Sequence, residues 1–172
     1  YLLMVGSNLR RKNRPLALRL LARLRDRWPG RLLFAGDAPD ATLLAEARAL
    51  GVADRVDSVA RPSGEVLEAL YNRAAALLFP SRFEGYGWPL IEAQACGCPV
   101  IASDAPPHPE VTGGAALLCS LEDEAAFERA VLALEADTRL RAELVERGLA
   151  NAARFDVGSF VHRMLAVYRA VA

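Results

Sequence analysis

Glu84 and Glu92 stand with seven residues between them in Glu84-Gly85-Tyr86-Gly87-Trp88-Pro89-Leu90-Ile91-Glu92. Gly85 and Gly87 flank Tyr86 just ahead of a helix expected to begin near Trp88. Glycines at such a place permit unusual backbone angles and let a ligand approach the main chain closely. The first turn of a helix offers N–H groups without intrahelical partners and the positive end of its dipole, a natural seat for phosphate. Pro89 is tolerated in that turn because its missing N–H would have had no partner, although it removes one donor to a ligand. Acids beside a phosphate seat make sense if they serve a ligand's hydroxyls, because an ionised carboxylate only accepts. One glutamate could hold a hexose and the other a ribose. As bare pattern, the same stretch is also a glycine turn into a core helix with two solvated acids, since short glycine motifs match by chance.

A second segment, Gly6-Ser7-Asn8-Leu9-Arg10-Arg11-Lys12-Asn13, follows the first expected strand. Lys12 is the one lysine among 21 basic residues. A composition that uses arginine wherever either residue serves keeps a lysine where an ammonium does what a guanidinium cannot. A compact ammonium here could neutralise a diphosphate leaving group as its bond breaks. Charge alone is equally met by a solvated basic loop.

The elements that must position these residues alternate along the chain. Strands are expected at Leu2–Val5, Arg31–Ala35, Arg55–Val59, Ala75–Phe79 and Pro99–Ala102, with an edge strand at Ala115–Leu118. Helical periodicity covers Pro15–Trp28, Thr42–Leu50, Gly64–Arg73 and Trp88–Cys96. The C-terminal helices are expected at Glu122–Ala136, Thr138–Arg154 and Val157–Ala170, with Asp137 and Asp156 as N-caps. This order predicts an α/β fold, a Rossmann-like parallel sheet with helices on both faces. The run Ala76-Leu77-Leu78-Phe79 does not alternate, as suits a strand buried on both sides. Ligands in such sheets bind at the carboxyl ends of the strands. The loops Gly6–Arg14, Gly36–Asp40 and Pro80–Gly87 all lie there.

Composition excludes several classes. The chain of 172 residues is 53% hydrophobic and 24% charged, which suits one globular domain over 1–172. Zero net charge argues against general affinity for nucleic acid or acidic membranes. No apolar run reaches the roughly 18 residues of a transmembrane segment. The chain opens directly on the first strand without a signal peptide, and is expected to be cut from something longer. Cys96, Cys98 and Cys119 read as structural thiols, since Cys96-Gly97-Cys98 is too tight for the usual zinc spacing. They favour a cytoplasmic setting.

The stretch Pro80-Ser81-Arg82-Phe83-Glu84-Gly85-Tyr86-Gly87-Trp88-Pro89-Leu90-Ile91-Glu92-Ala93 closely resembles the signature of GT-B glycosyltransferases of family 4, the glycosyl transferases group 1. Cys96 to Ser103 looks like that family's following strand, and His108-Pro109-Glu110-Val111 like its Pro-Glu-Val turn. The likeness runs from Val5 to about Tyr168. It implies that Glu84 contacts the donor sugar near the reacting centre and that Glu92 binds ribose hydroxyls. Backbone of Gly85, Tyr86, Gly87, Trp88 and Leu90 would hold sugar hydroxyls and diphosphate. Lys12 matches the family's phosphate-binding lysine. Ser7 stands where many members carry arginine, so Arg10 or Arg11 would supply the second positive charge. Arg61, after the third strand, falls where the base pocket begins; it could stack on a base or stay solvated. Asp37 reads more simply as a turn residue than as cleft lining. His108 is placed in a loop and His162 on a helix, neither with a partner for metal or acid–base work.

The resemblance thus implies the C-terminal, donor-binding domain of a retaining glycosyltransferase, with helices 122–172 packed on it and the N-terminal acceptor domain absent. The donor would be a UDP-, GDP- or ADP-sugar, with no metal and no cofactor. The enzyme would be cytoplasmic, reaching the inner membrane peripherally if at all, through the absent domain. As an isolated fragment it would bind donor without efficient transfer. A non-catalytic nucleotide-sugar-binding or regulatory module is the alternative. A nicotinamide oxidoreductase is disfavoured, because Gly6 starts no Gly-x-Gly-x-x-Gly pattern. A receiver or flavodoxin-like domain would leave the paired glutamates unexplained.

Overall fold

Five short runs rich in Leu, Val, Ile, Ala and Phe, and a sixth at the edge, form one parallel sheet. In this computed structural model, which describes residues 1–171, the strands are β1 Leu2–Gly6, β2 Leu32–Gly36, β3 Val56–Ala60, β4 Ala76–Phe79, β5 Val100–Ser103 and β6 Leu117–Cys119. The helices are α1 Arg14–Arg23, α2 Ala41–Ala49, α3 Gly64–Arg73, α4 Trp88–Ala95, α5 His108–Thr112, α6 Glu124–Ala136, α7 Thr138–Ala152 and α8 Val157–Val171. Strand order is β3-β2-β1-β4-β5-β6, the doubly wound Rossmann arrangement. The chain reverses direction across the sheet between β1 and β4. At such a switch point the connecting loops leave in opposite directions and open a crevice.

Alternate residues of each strand face opposite layers. Leu2, Met4, Leu32, Phe34, Ala76 and Leu78 pack against α1, α2 and α6. Leu3, Ala35, Leu77, Phe79, Val100 and Ala102 pack against α3, α4 and α5. Leu16, Leu18, Leu20, Leu21 and Leu24 are at most 1% exposed; each contributes about 2 kcal/mol of transfer free energy. They fix α1, and with it the loop that carries Lys12.

Helix ends follow local chemistry. Asp40, Ser63, Asp123 and Asp137 each accept a hydrogen bond from a first-turn N–H and cap α2, α3, α6 and α7. Asp137 was expected, and Asp156 directly precedes α8. Helix α1 stops at Arg23 rather than at the expected Trp28. Beyond it, looser turns swing Trp28 into the core, where its Nε1–H donates to Glu135 Oε2 at 3.3 Å. Because Asp123 caps α6, that helix starts at Glu124 and not at Glu122. The edge strand is shifted to Leu117–Cys119. All three cysteines are free thiols. Burial pushes the Cys98 thiol up to about 12 and Cys119 up to about 11, so both stay protonated. Among the described residues no helix is long and apolar enough to cross a membrane.

A buried amide network holds α4 in place. Gln94 Nε2 donates to the carbonyls of Thr112 and Ala115, both at 3.1 Å. Asn151 Nδ2, from α7, donates to Gln94 Oε1 at 2.7 Å and to Val111 O at 2.8 Å. Gly148 lets α7 approach, because a Cβ there would lie 3.2 Å from Gln94 Cγ. Asn151→Ala removes two buried hydrogen bonds and orphans Gln94 Oε1. It is expected to cost about 2–3 kcal/mol in urea unfolding; a loss under about 0.5 kcal/mol would show that the network does not secure α4.

Candidate functional site

Pairing between β1 and β4 covers only Leu2↔Ala76 and Leu3↔Leu77. Both strands continue past that point, and their ends diverge. Lys12 reaches into this crevice. Its Nζ lies 2.7 Å from Glu84 Oε1 and 4.8 Å from the centre of the Phe79 ring. Gly6 adopts φ +134, and a Cβ there would stand 2.9 Å from Lys12 Cε. The lysine stem therefore requires glycine at the end of β1.

The 3-10 turn Arg10–Lys12 aims the basic residues, and Asn13 ends it in a left-handed conformation, φ 55. Asn13 Nδ2 donates to Pro80 O at 3.2 Å, and Arg82 N–H donates to Arg11 O at 2.7 Å. These bonds tie the β1–α1 loop to the β4–α4 loop. Arg14 adds a third tie, toward β2. Its guanidinium donates to Gly6 O at 2.7 Å, to Asp37 O at 3.0 Å and to Asn8 Oδ1, and lies over the Phe34 ring. A buried cation in the first turn of a helix opposes the dipole. That mismatch is the sequence signal by which Arg14 could have been noticed. Asp37 is the turn residue expected, accepting from Asn8 N–H at 3.1 Å.

Glu84 receives both cations. Lys12 meets one oxygen, and Arg11 Nη1 donates to the other. Arg11, not Arg10, is thus the second cation beside Glu84. The side chains of Lys12 and Glu84 are only 9% and 7% exposed. Burial pushes the Glu84 carboxyl up, but Lys12, Ser81 and Arg11 outweigh it and hold the group below its ordinary 4.5. Ser7 follows β1, half-buried, and its hydroxyl reaches none of these groups among the described residues.

His108 is a correction to the sequence reading. It opens α5 instead of lying in a loop, and it is fully buried. Its Nδ1 lies 2.9 Å from Ser103 Oγ and 3.1 Å from Ser103 O. Ser103 Oγ spends its hydrogen on Ser81 O, at 2.5 Å. Nδ1 therefore carries the imidazole proton, and Nε2 is an acceptor. His108 Nε2 is buried without a partner among the described residues. Burial lowers the His108 pKa below 6.5, against the Ser103 carbonyl and Glu84, which raise it; Lys12 lowers it further.

Gly87 caps α4 with φ 100 and no side-chain bond, and Pro89 sits in the first turn as expected. The Leu90 N–H is taken by Gly87 O at 2.9 Å. The N–H groups of Gly85, Tyr86, Gly87 and Trp88 have no partner among the described residues. Gly85 departs from the expectation of an unusual backbone, since its φ is not positive; a Cβ there would meet open space. Its use is access to the main chain. Tyr86 and Trp88 are exposed and lie ring to ring at 5.0 Å.

Glu92 lies one turn on. Its Oε2 accepts from the Tyr71 hydroxyl at 2.8 Å, and the residue is exposed. Burial and the Glu92 carboxylate push the Tyr71 phenol far up, so it stays a donor. Tyr71 was hidden in the sequence as one more apolar position of α3. Arg61 follows β3 with an exposed side chain that pairs with nothing among the described residues, in a left-handed conformation, φ 48. The structure thus brings Lys12, Arg11 and Glu84 together, places the free amides beside them on the same loop, and leaves Arg61 apart.

The geometry yields two measurements. Lys12→Met leaves the buried Glu84 carboxylate with Arg11 as its remaining cation and is expected to cost about 2 kcal/mol; Glu84→Leu strands the lysine and is expected to cost about 3 kcal/mol. The double variant should cost clearly less than the sum in a double-mutant cycle, and additivity would mean the pair is uncoupled. Acid should also destabilise the chain. His108 and Glu84 both bind protons less readily folded than unfolded, so stability present at neutral pH falls as pH drops below 6.5 and again below 4.5. His108→Leu should flatten the first of these declines in thermal melts; an unchanged pH profile would assign it to another group.

Residues 1–150 match the family model described as glycosyl transferases group 1. The D-inositol 3-phosphate glycosyltransferase of Salinispora arenicola is 34% identical over 131 residues, 73% of this chain and 29% of that protein. The O-antigen chain mannosyltransferase B of Escherichia coli is 38% identical over 91 residues, 53% of this chain and 24% of that protein. Sucrose-phosphate synthase from Thermosynechococcus elongatus superposes with TM-score 0.82 at 28% identity, over 99% of this chain and 45% of that one. Anabaena Alr3699/HepE in complex with UDP and glucose gives TM-score 0.85 at 21% identity, over 99% of this chain and 48% of that one. The chain therefore spans under a third of these curated relatives and about half of these solved structures.

Proposed function

Because the chain belongs to the glycosyl transferases group 1 family, we propose that it is the nucleotide-sugar-binding domain of a retaining hexosyltransferase. The observation that carries this is the Lys12–Glu84–Arg11 cluster, buried at the switch point beside the free amides of Gly85 to Trp88. It sets phosphate donors and a hydroxyl acceptor side by side, and a nucleotide-sugar carries phosphate and hydroxyls on either side of the bond to be broken. Glu92 has one oxygen held by Tyr71 and the other free for ribose. In this reading Arg61, exposed after β3, stacks on the base. The UDP complex of the Anabaena protein favours a uridine nucleotide among UDP, GDP and ADP.

In transfer, the acceptor oxygen bonds to the anomeric carbon as the bond from that carbon to the diphosphate oxygen breaks. The acceptor's proton passes to the departing diphosphate. Lys12, Arg11 and the loop amides stabilise the charge that develops there. Attack and departure on one face retain configuration. Neither metal nor cofactor enters this scheme. The acceptor would lie in a second, N-terminal domain, and the complete enzyme would work in the cytoplasm, peripheral to the inner membrane through that domain. The coverage of about half of each solved neighbour favours this two-domain reading and equally suits a second one, a module that binds nucleotide-sugar without transferring it.

Calorimetry of the chain with UDP-, GDP- and ADP-sugars should give saturable binding of at least one at millimolar concentration; silence from all three ends the donor reading. In the complete enzyme, Lys12→Ala and Glu84→Gln should each lower kcat about 100-fold or more. Wild-type rates in both would leave only the binding module. Glu92→Ala should weaken donor affinity about tenfold, and an unchanged affinity would remove its ribose role.

A further inference from the structure

Glu84 is held from two sides. Lys12 and Arg11 meet it from the β1–α1 loop. From behind, the Ser81 hydroxyl faces the carboxyl and favours its ionised form. Ser81 is 1% exposed, and Ser103 and His108 are fully buried. Ser103, the last residue of β5, donates its hydroxyl hydrogen to Ser81 O at 2.5 Å. His108 Nδ1–H points at Ser103, 2.9 Å from Oγ and 3.1 Å from the carbonyl oxygen. With a donor on that side, the Ser103 hydrogen turns toward Ser81. The imidazole thereby sets the direction of a buried relay that runs from α5 through the end of β5 to the back of Glu84.

The ring itself is fixed. It packs edge-on with Phe79, ring centres 5.1 Å apart, and Phe79 is the ring beneath Lys12 Nζ. His108 Cδ2 would lie 3.9 Å from a Cβ on Gly87, which caps α4. Thr112 Oγ1 donates to His108 O at 2.8 Å and closes the turn of α5 that carries the ring. One side chain therefore touches the floor under the lysine, the start of the helix with the free amides, and the serines behind the glutamate. As mere filling, an apolar side chain would serve better. It would avoid the cost of burying Nε2 without a partner among the described residues.

We infer that His108 is a positioning residue for sugar recognition: through Ser103 and Ser81 it aims the Glu84 carboxylate at the hydroxyls of the donor sugar. This rests on the donor reading proposed above. Hydrogen bonds weaken steeply with angle, so a carboxylate that has turned loses a hydroxyl that still lies near it. The diphosphate is insulated from the relay. In the same reading its partners are Lys12, Arg11 and the main-chain amides of Gly85 to Trp88, none of which bonds to Ser81 or Ser103.

Calorimetry that compares each nucleotide-sugar with its own nucleoside diphosphate tests this, using UDP-glucose with UDP, GDP-mannose with GDP and ADP-glucose with ADP. His108→Leu keeps a side chain against Phe79 and removes the Nδ1–H. His108→Asn keeps an N–H near that place and removes the ring. In His108→Leu and Ser103→Ala the preference for nucleotide-sugar over nucleoside diphosphate should fall about tenfold, and His108→Asn should recover most of it. The ratio of two affinities in one protein does not depend on how much of that protein is folded. Parallel losses for both ligands would reduce His108 to packing and overturn the proposal. So would a leucine variant with the parent's preference, or an asparagine variant no better than leucine. A parent that binds no nucleotide-sugar ends the donor reading, and NMR of the Glu84 carboxyl carbon then decides the relay. That carboxyl should titrate at higher pH in His108→Leu and Ser103→Ala than in the parent and His108→Asn, because the serine's support is lost. A single titration common to all four proteins would sink the relay.

Discussion

The ion pair between Lys12 and Glu84 is the contact on which the rest of the site depends. It joins loops that leave neighbouring strands in opposite directions, and it lies where those strands have stopped pairing. Buried charges are tolerated only when partners replace the lost water. Arg11 and Phe79 supply that replacement, while Asn13 and Arg82 keep the two loops in register. The main chain must also yield, at Gly6 for the lysine stem and at Asn13 for the turn.

Behind this contact, the sheet fixes the ends of β1 and β4, and the helices fix the loops. Helix α4 carries both the free amides at its start and Glu92 on its next turn, so its placement governs two parts of the site. The Gln94–Asn151 network does that work from α7, which packs directly against α4. The arginine-rich composition has its counterpart between α1 and α6. Arg19, Arg23 and Arg27 reach Glu124 and Glu128 from successive turns. Such exposed pairs contribute little individually. They show where guanidinium serves as well as ammonium, in contrast to Lys12, whose slim stem runs between Gly6 and Phe79.

Much of the fold was legible because hydrophobic period and punctuation agree. Gly6, Gly36, Pro80 and Gly97 mark element ends in both sequence and structure, and the parallel order follows from strict alternation. Misplaced boundaries came from particular side chains: Trp28 turning into the core across the fold, and Asp123 capping α6 locally. The candidate residues themselves were legible mainly through their resemblance to a family. Their partners were not. Tyr71 looks like core, His108 like loop, and Arg14 like one more arginine, because spacing along a chain does not encode the direction in which a side chain points across a sheet. That Arg11 and not Arg10 meets Glu84 depends on the 3-10 turn, which sequence periodicity does not resolve.

The carboxylate of Glu84 has a consequence for discrimination among ligands. A bare anion that takes Lys12 and Arg11 for itself must pull them from Glu84, leaving that carboxylate buried and unpaired. A ligand presenting an anion and adjacent hydroxyls compensates both sides of the exchange, since the hydroxyls donate to the carboxylate as the cations turn away. In the donor reading proposed above, the internal ion pair would therefore penalise an anion that brings no hydroxyls to Glu84.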